Sequence, residues 1–407
     1  MLVFMERIAE FNSQMALIKA FNLNIKYIST TKPQLSAIIL GARKKSYIDE
    51  FDITIVDTIN INKYDNIVSF YNNYHNRDYK KYLKIEVAGV KHVFGWGGLH
   101  GAKEKYISEG IFVNSDVGSF YPSLMIQYDF LSRNVSDKNK YKNIYDTRME
   151  LKKKKMKKEQ APYKLVLNST YGASKDKNNN LYDPLMANNV CINGQLMLLD
   201  LIEKLEDKYE LIQSNTDGVM FKLNSMDDLP TYKAICKEWE KRTRMTLEHD
   251  IITKVIQKDV NNYLVVMEDG SHKSKGAYLK KLDHLDYDLP ILNTALIEYF
   301  IHGTEVEDTI NNCNKLIEFQ KIVKVTGKYK SINFNGEDLQ EKCVRVFASR
   351  SVNDGPVKKV NYDNELEKIG NVPERCFIDN TDIKDKRISR KLNKNRSEEH
   401  TSELQSP

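Results

Sequence analysis

The chain has 407 residues, 41% of them hydrophobic, which is enough for two or three subdomains with cores of their own and excludes global disorder. Lysine and arginine number 62 against 56 acidic residues, a net charge of +6 that suits a polyanionic partner but does not require one. The five cysteines (Cys191, Cys236, Cys313, Cys343, Cys376) are scattered and never spaced as CxxC, so they indicate neither a disulfide framework nor a zinc site, and a reducing cytoplasm is the expected compartment. No signal-peptide core opens the chain, and no apolar run approaches the roughly 20 residues that span a bilayer.

Met5 to Leu40 carries apolar residues at helical spacing and reads as one or two helices, followed by mixed strand and loop to about Lys105. From Gly110, IFVNSD is a short strand ending in an acid, and a helical stretch with YPSLMIQYDF follows. Asp146 to Lys158 is a charged helix containing KKKKMKK, and after Pro162 the segment YKLVLNSTYGA forms a second helix returning antiparallel to it. Val190 to Tyr209 is helical, and TDGVMFKL reads as strand, tight turn and strand around Asp217. A helix near Tyr232 to Thr243 precedes paired strands, Ile251 to Ile256 and Tyr263 to Met267. The remainder is helical from about Ile291 to Phe319 and then irregular. RSEEHTSELQS, within 396–407, reads as translated sequencing adapter, so the natural C-terminus is expected to lie beyond it.

Three clusters carry chemistry: DVGSFYPS from Asp116, KLVLNSTYG from Lys164 and NTDG from Asn215. Asp116 and Asp217, each at a strand end or turn, can converge on one sheet edge and hold divalent metal. Lys164 and Asn168 differ by four and share a helix face, with Tyr171 three residues further along it. Carboxylates for metal beside cations for a triphosphate are the parts that phosphoryl transfer needs. Alone, an Asp at a strand end is usually a turn or cap residue and a lysine run usually a solvated face; the order and spacing of the three clusters reverse those readings.

At these residues the chain resembles the family B DNA polymerases, the viral and phage replicases. DVGSFYPS is similar to the motif DxxSLYPS, with Phe120 for leucine, and KLVLNSTYG matches KxxxNSxYG throughout. The resemblance implies an α+β right-hand polymerase with an antiparallel-sheet palm, helical-hairpin fingers and a mainly helical thumb. The implied layout is a post-exonuclease linker and the N-terminal part of the palm region (1–105), palm with the first acid motif (106–139), fingers (140–174), palm with the second acid motif and the DVNNY hairpin (175–285), an incomplete thumb (286–395) and the adapter-derived tail (396–407). The implied activity is template-directed addition of deoxynucleotides to a primer 3′-hydroxyl by a monomer. Its implied partners are primer-template DNA, deoxynucleoside triphosphates and replication accessory proteins; its implied cofactor is two Mg²⁺, with Mn²⁺ able to substitute.

By the same resemblance Asp116, Val117 and Asp217 hold metal, Asp116 and Asp217 being catalytic. Ser119, Phe120, Tyr121, Arg148, Lys152, Lys164, Asn168 and Tyr171 bind the nucleotide, Tyr121 excluding a 2′-hydroxyl. Gly97, Gly98, Gly172, Thr216, Asn261, Tyr263 and Lys275 contact DNA. The sequence departs from the family at three places. SNTDG stands for YGDTDS, placing Asn215 at the first acid and Gly218 at the serine, with Glu248 and Asp250 as candidate helpers. Asn261 replaces the lysine of a KxY element. GWGGLHG replaces YxGG, with Trp96 either packing or touching template. The gaps of 48 residues from Asp116 to Lys164 and 49 from Asn168 to Asp217 hold no large insertion, which favours nucleic-acid priming. Exonuclease motifs are not recognisable. The rival reading is a catalytically weak or inactive polymerase-like fragment that binds nucleic acid.

Overall fold

Residues 2–276, 279 and 288–395 are described in the computed structural model; the adapter-like segment 396–407 lies outside them. The chain divides into two compact units, the first formed by 11–260 with 265–271 and the second by 1–10, 261–264 and the part from His272 onward.

Two helices open the chain, α1 (Leu2–Ala20) and α2 (Lys32–Leu40), the latter closed by Gly41 in the left-handed conformation. After α3 (Asp65–Asn72) come β1 (Tyr82–Val87), β2 (Val90–Gly95), β3 (His100–Ala102) and β4 (Tyr106–Val117). Then follow α4 (Phe120–Gln127), α5 (Lys138–Lys153), α6 (Lys157–Lys175), α7 (Pro184–Leu205), β5 (Glu210–Ser214), β6 (Gly218–Leu223), α8 (Leu229–Thr243) and β7 (Leu247–Asp259). These strands form an antiparallel sheet in the order β1-β2-β3-β5-β6-β4-β7. β4 is central, twice as long as IFVNSD alone suggests, and carries a register shift between Glu109 and Phe112 beside Gly110 at φ 144°. Such a bulge bends a strand and re-aims the residues that follow it, here those leading to Asp116.

The expected pair of charged helices is present as α5 and α6, but Pro162 lies inside α6 rather than before it. As the sixth residue of the helix it forgoes one intrahelical N–H bond; the helix nonetheless runs on to Lys175, with Pro162 buried.

α7 is the spine of the first unit, and among the described residues it is the one helix long and apolar enough to cross a membrane, with mean hydropathy 1.2 and 94% of that stretch buried. The asparagines that interrupt its apolar pattern bind the irregular segment 50–63, which contains turns but no strand. Asn188 Nδ2 donates to the Glu50 carbonyl (2.7 Å), Asn189 Oδ1 accepts from Thr54 N–H (2.8 Å), and Asn193 both accepts from Val56 N–H (2.9 Å) and donates to the Thr54 carbonyl (2.8 Å). Further along, Asp200 accepts from Asn60 N–H (3.1 Å) and Glu203 from the amides of Asn62 and Lys63 (each 2.9 Å).

β8 (Asn262–Met267) and β9 (His272–Lys275) lie at the boundary between the units in sequence. The second unit then departs from expectation. α9 (Pro290–His302) stops at Gly303, left-handed at φ 70°, and after α10 (Val306–Asn312) the chain turns to strand. A three-stranded sheet is formed by β10 (Lys321–Lys324), β13 (Cys343–Ala348) and β16 (Cys376–Ile378). A four-stranded sheet is formed by β11 (Ser331–Phe334), β12 (Glu337–Leu339), β14 (Val357–Val360) and β15 (Leu366–Lys368). Residues 286–395, expected to be mainly helical, therefore carry more strand than α-helix where described, joined by long irregular stretches. All six positions of β13 are buried, so the alternation that identifies a half-exposed strand is missing there.

Candidate active site

DVGSFYPS straddles the end of β4 and the start of α4, and the turn between them is tight. Ser119 takes a left-handed conformation (φ 53°), and Gly118 N–H donates to the Thr246 carbonyl (2.8 Å). Asp116 sits on the central strand, opposite Gly218 of β6 on one side and Glu248 of β7 on the other. Its carboxylate is oriented from within its own strand, because Asn114 two residues earlier projects from the same face and its Nδ2 donates to Asp116 Oδ2 (2.8 Å). Gly218 has no side chain for a reason: a Cβ there would lie 2.1 Å from Asp116 Oδ1 and 2.9 Å from the Ser115 carbonyl oxygen.

NTDG closes the turn from β5 to β6. Asn215 Oδ1 accepts from Asp217 N–H (3.1 Å), and Asn215 N–H donates to the Gly218 carbonyl (2.9 Å). Asn215 is thus a turn-former. Val117 N–H donates to the Asp217 carbonyl (2.7 Å), so the backbones carrying the two acids are bonded directly and Asp217 is held, exposed, beside Asp116.

Across from these acids stand cations on α5 and α6. One cleft, about 470 Å³, is lined by Asp116, Val117, Ser119, Phe120, Tyr121, Arg148, Lys152, Lys164, Asn168, Thr216, Asp217 and Glu248, among others. Arg148, 7% exposed, donates through Nη1 to Ser119 Oγ, while its buried Nε has no hydrogen-bond partner. Burial pushes the Arg148 guanidinium below its ordinary pKa, the direction set by desolvation. Lys152 is ion-paired with Glu248, whereas Lys164 and Asn168 lie exposed one turn apart on α6.

Tyr121 and Tyr171 form the floor beside this cleft. Their ring centroids are 4.4 Å apart, and burial raises the pKa of both phenols far above the ordinary value, keeping them neutral hydroxyls. Beneath Tyr121 lies Gly194 of α7, where a Cβ would already press at 3.4 Å on the rings of both Phe120 and Tyr121. Lys175 lies over the Tyr171 ring at 5.1 Å and donates to the Trp96 carbonyl (3.1 Å).

The remaining sequence candidates lie elsewhere. Trp96 is 6% exposed, edge-on to Phe51 at 4.8 Å, and donates to the Asn76 carbonyl (3.2 Å); packing accounts for it. The Gly97 carbonyl accepts from Gln195 Nε2 (2.5 Å), and Gly98 packs on Thr216, whose Oγ1 would be 2.7 Å from a Cβ. Gly172 is exposed on α6. Asn261 in the turn before β8, Tyr263 (β8) and Lys275 (β9) belong to the second unit and are not among the residues lining the cleft. Asp250 pairs in register with Asn114 and is likewise outside the lining. Asn114 and Gly194 escaped the sequence reading, although period-two spacing from Asp116 and a glycine inside a helix were the available signals.

Among the described residues no group of three or more His, Cys, Asp or Glu side chains is gathered to hold a metal ion. The cleft offers carboxylates and backbone oxygen without imidazole or thiolate. Such a donor set fits a hard cation like Mg²⁺, which is commonly bound by one or two carboxylates together with substrate phosphates and water.

No protein-family model matches the chain. Over 197 residues it is 27% identical to DNA polymerase 1 of Saccharolobus solfataricus, an alignment covering 47% of this chain and 21% of that protein. Its fold is similar to that of the family B DNA polymerase from the hyperthermophilic archaeon Pyrobaculum calidifontis, with a TM-score of 0.51 at 13% identity, covering 96% of this chain and 52% of that one. The chain thus spans about a fifth of the first protein and half of the second, and its mixed α/β architecture with antiparallel sheets is one that a family B DNA polymerase shares.

Proposed function

We propose that the chain is the polymerising part of a DNA-directed DNA polymerase, extending a primer 3′-hydroxyl with deoxynucleotides. The observation that carries this reading is the division of charge in one cleft. Asp116 and Glu248 come from strands of the sheet and Asp217 from the turn joining two of them, and Arg148, Lys152 and Lys164 from the helix pair facing it. A nucleoside triphosphate with its divalent metal has the complementary division. On this reading the sheet is the palm, α5 and α6 are the fingers, and the part beyond β9 is the thumb.

Asp116 and Asp217 would hold Mg²⁺, or Mn²⁺ in its place, with the Val117 backbone beside them. When bound, the metal lowers the charge barrier at the attacking and leaving oxygens. Lys164, Arg148 and Lys152 neutralise the triphosphate, Lys152 exchanging Glu248 for phosphate oxygen. The turn at Ser119 and Phe120 offers backbone N–H groups at the start of α4, and Asn168 lines the same side. Tyr121, wedged between Tyr171 and Gly194, presents a ring that cannot retreat from a 2′-hydroxyl, so deoxynucleotides are preferred. Binding to DNA runs mainly through phosphates and weakens with salt.

The setting we propose is that of a viral or phage replicase acting as a monomer in the host cytoplasm with accessory replication proteins, on the support of the motif resemblance and of five scattered cysteines that never fall in CxxC spacing. The decisive experiment is extension of a labelled primer-template with Mg²⁺ and deoxynucleotides. Wild type should extend, while Asp116→Ala and Asp217→Asn should lose extension and keep DNA binding. Tight binding without extension by the wild type would favour the inactive-fragment reading, whose support is Asn215 at the place of an acid.

A further inference from the structure

His92, Gly101 and Ser214 form one row across three neighbouring strands. His92 of β2 pairs in register with Gly101 of β3, and Gly101 with Ser214 of β5. The imidazole, 1% exposed, spans the middle strand: its Nε2 lies 2.7 Å from Ser214 Oγ and its Nδ1 2.8 Å from the Val90 carbonyl oxygen. A carbonyl only accepts, so Nδ1 carries the hydrogen; Nε2 is then the acceptor and the Ser214 hydroxyl the donor. Glycine at 101 is what permits the bridge, since a Cβ there would lie 2.3 Å from Nε2. Burial pushes the imidazole down to about 4, so this acceptor state persists through the neutral range.

Ser214 is the last residue of β5 and directly precedes the turn that presents Asp217. The β5–β6 ladder is irregular just before this point, with a register shift between Leu211 and Gln213. A strand whose register slips there needs a second constraint to fix where its final residue, and hence the turn, begins.

We propose that His92 and Ser214 are positioning residues for Asp217: their buried bridge over Gly101 fixes the end of β5 and thereby holds the Asn215–Gly218 turn beside Asp116. This rests on the polymerase reading of the cleft. Neither side chain lines that cleft, so both act through the backbone.

The test uses the full chain with Ser214→Ala, His92→Gln and the double variant. Mn²⁺ affinity without nucleotide is read by electron paramagnetic resonance, primer-extension kcat and KM by steady-state kinetics, and folding by thermal melting. Each single variant should lower kcat tenfold or more and weaken Mn²⁺ binding several-fold, with KM for deoxynucleotide within twofold of wild type. The double variant should be no worse than the worse single, because both substitutions break one bridge. Wild-type kcat and Mn²⁺ affinity in Ser214→Ala, even with a lowered melting temperature, would overturn the proposal and leave the bridge as packing only. Additive losses in the double variant would overturn it too. Wild-type protein that neither binds Mn²⁺ nor extends primer would instead remove the reading of the cleft, and the positioning role with it.

Discussion

Lowering the pH from 7.5 to 5 should cost the first unit about 2 kcal/mol of stability through His92 alone. Burial holds the folded imidazole at about 4 against an ordinary value of 6.5, with the Val90 carbonyl pulling weakly the other way. The unfolded chain therefore takes up a proton first as pH falls. Stability is full above about 6.5, declines between 6.5 and 4, and loses nothing more below that. At pH 5 the unfolded histidine is almost wholly protonated and the folded one mostly neutral, a protonation ratio of about 30, which converts to about 2 kcal/mol. The measurement is urea unfolding at both pH values followed by tryptophan fluorescence. Both tryptophans of the chain, Trp96 and Trp239, lie in the first unit, so the signal reports that unit. His249, also pushed down by burial, is common to wild type and His92→Gln and drops out of their difference. An equal loss of stability with pH in the two proteins would refute the reasoning.

Gly218→Ser would place a Cβ 2.1 Å from Asp116 Oδ1 and against the Ser115 carbonyl; we expect loss of extension by at least tenfold and a stability cost of about 1–3 kcal/mol, read by kinetics and melting. Tyr121→Val should raise ribonucleotide incorporation relative to deoxynucleotide by tenfold or more in paired extension assays, and an unchanged ratio would remove Tyr121 from sugar discrimination. Asn193→Ala strips partners from Val56 N–H and the Thr54 carbonyl, with an expected cost of about 3 kcal/mol in urea unfolding and faster proteolysis within 50–63.

What the sequence made legible was local and chemical. Acids at strand ends, a lysine and an asparagine spaced by four on a helix and the order of three clusters led to residues that the fold gathers into one cleft. The illegible parts depended on partners distant in the chain. Nothing near Asn114 in sequence shows that its amide holds Asp116, and nothing near His92 shows that a glycine strand and a serine 122 residues away complete its surroundings. Trp96 was ambiguous because an aromatic beside glycines suits both packing and template contact; its burial against Phe51, Tyr71 and Tyr79 decides for packing. The strands of the second unit were missed because they are short and, as in β13, buried on both faces, which removes the period-two signal.

The seam between α7 and the segment 50–63 has a consequence for how the chain can change. A helix ordinarily has no amides free to pair with a neighbouring backbone segment. Asn188, Asn189 and Asn193 lend it side-chain amides, and Asp200 and Glu203 add acceptors, so the helix offers one face of hydrogen-bonding groups to a segment without regular secondary structure. What those groups read is peptide backbone. The seam is accordingly blind to the identity of the side chains it holds. Within 50–63, substitutions that keep the backbone path and its N–H groups should be tolerated at exposed positions, whereas α7 has no such freedom at its asparagines. Variation is expected to collect on one side of this contact and constraint on the other.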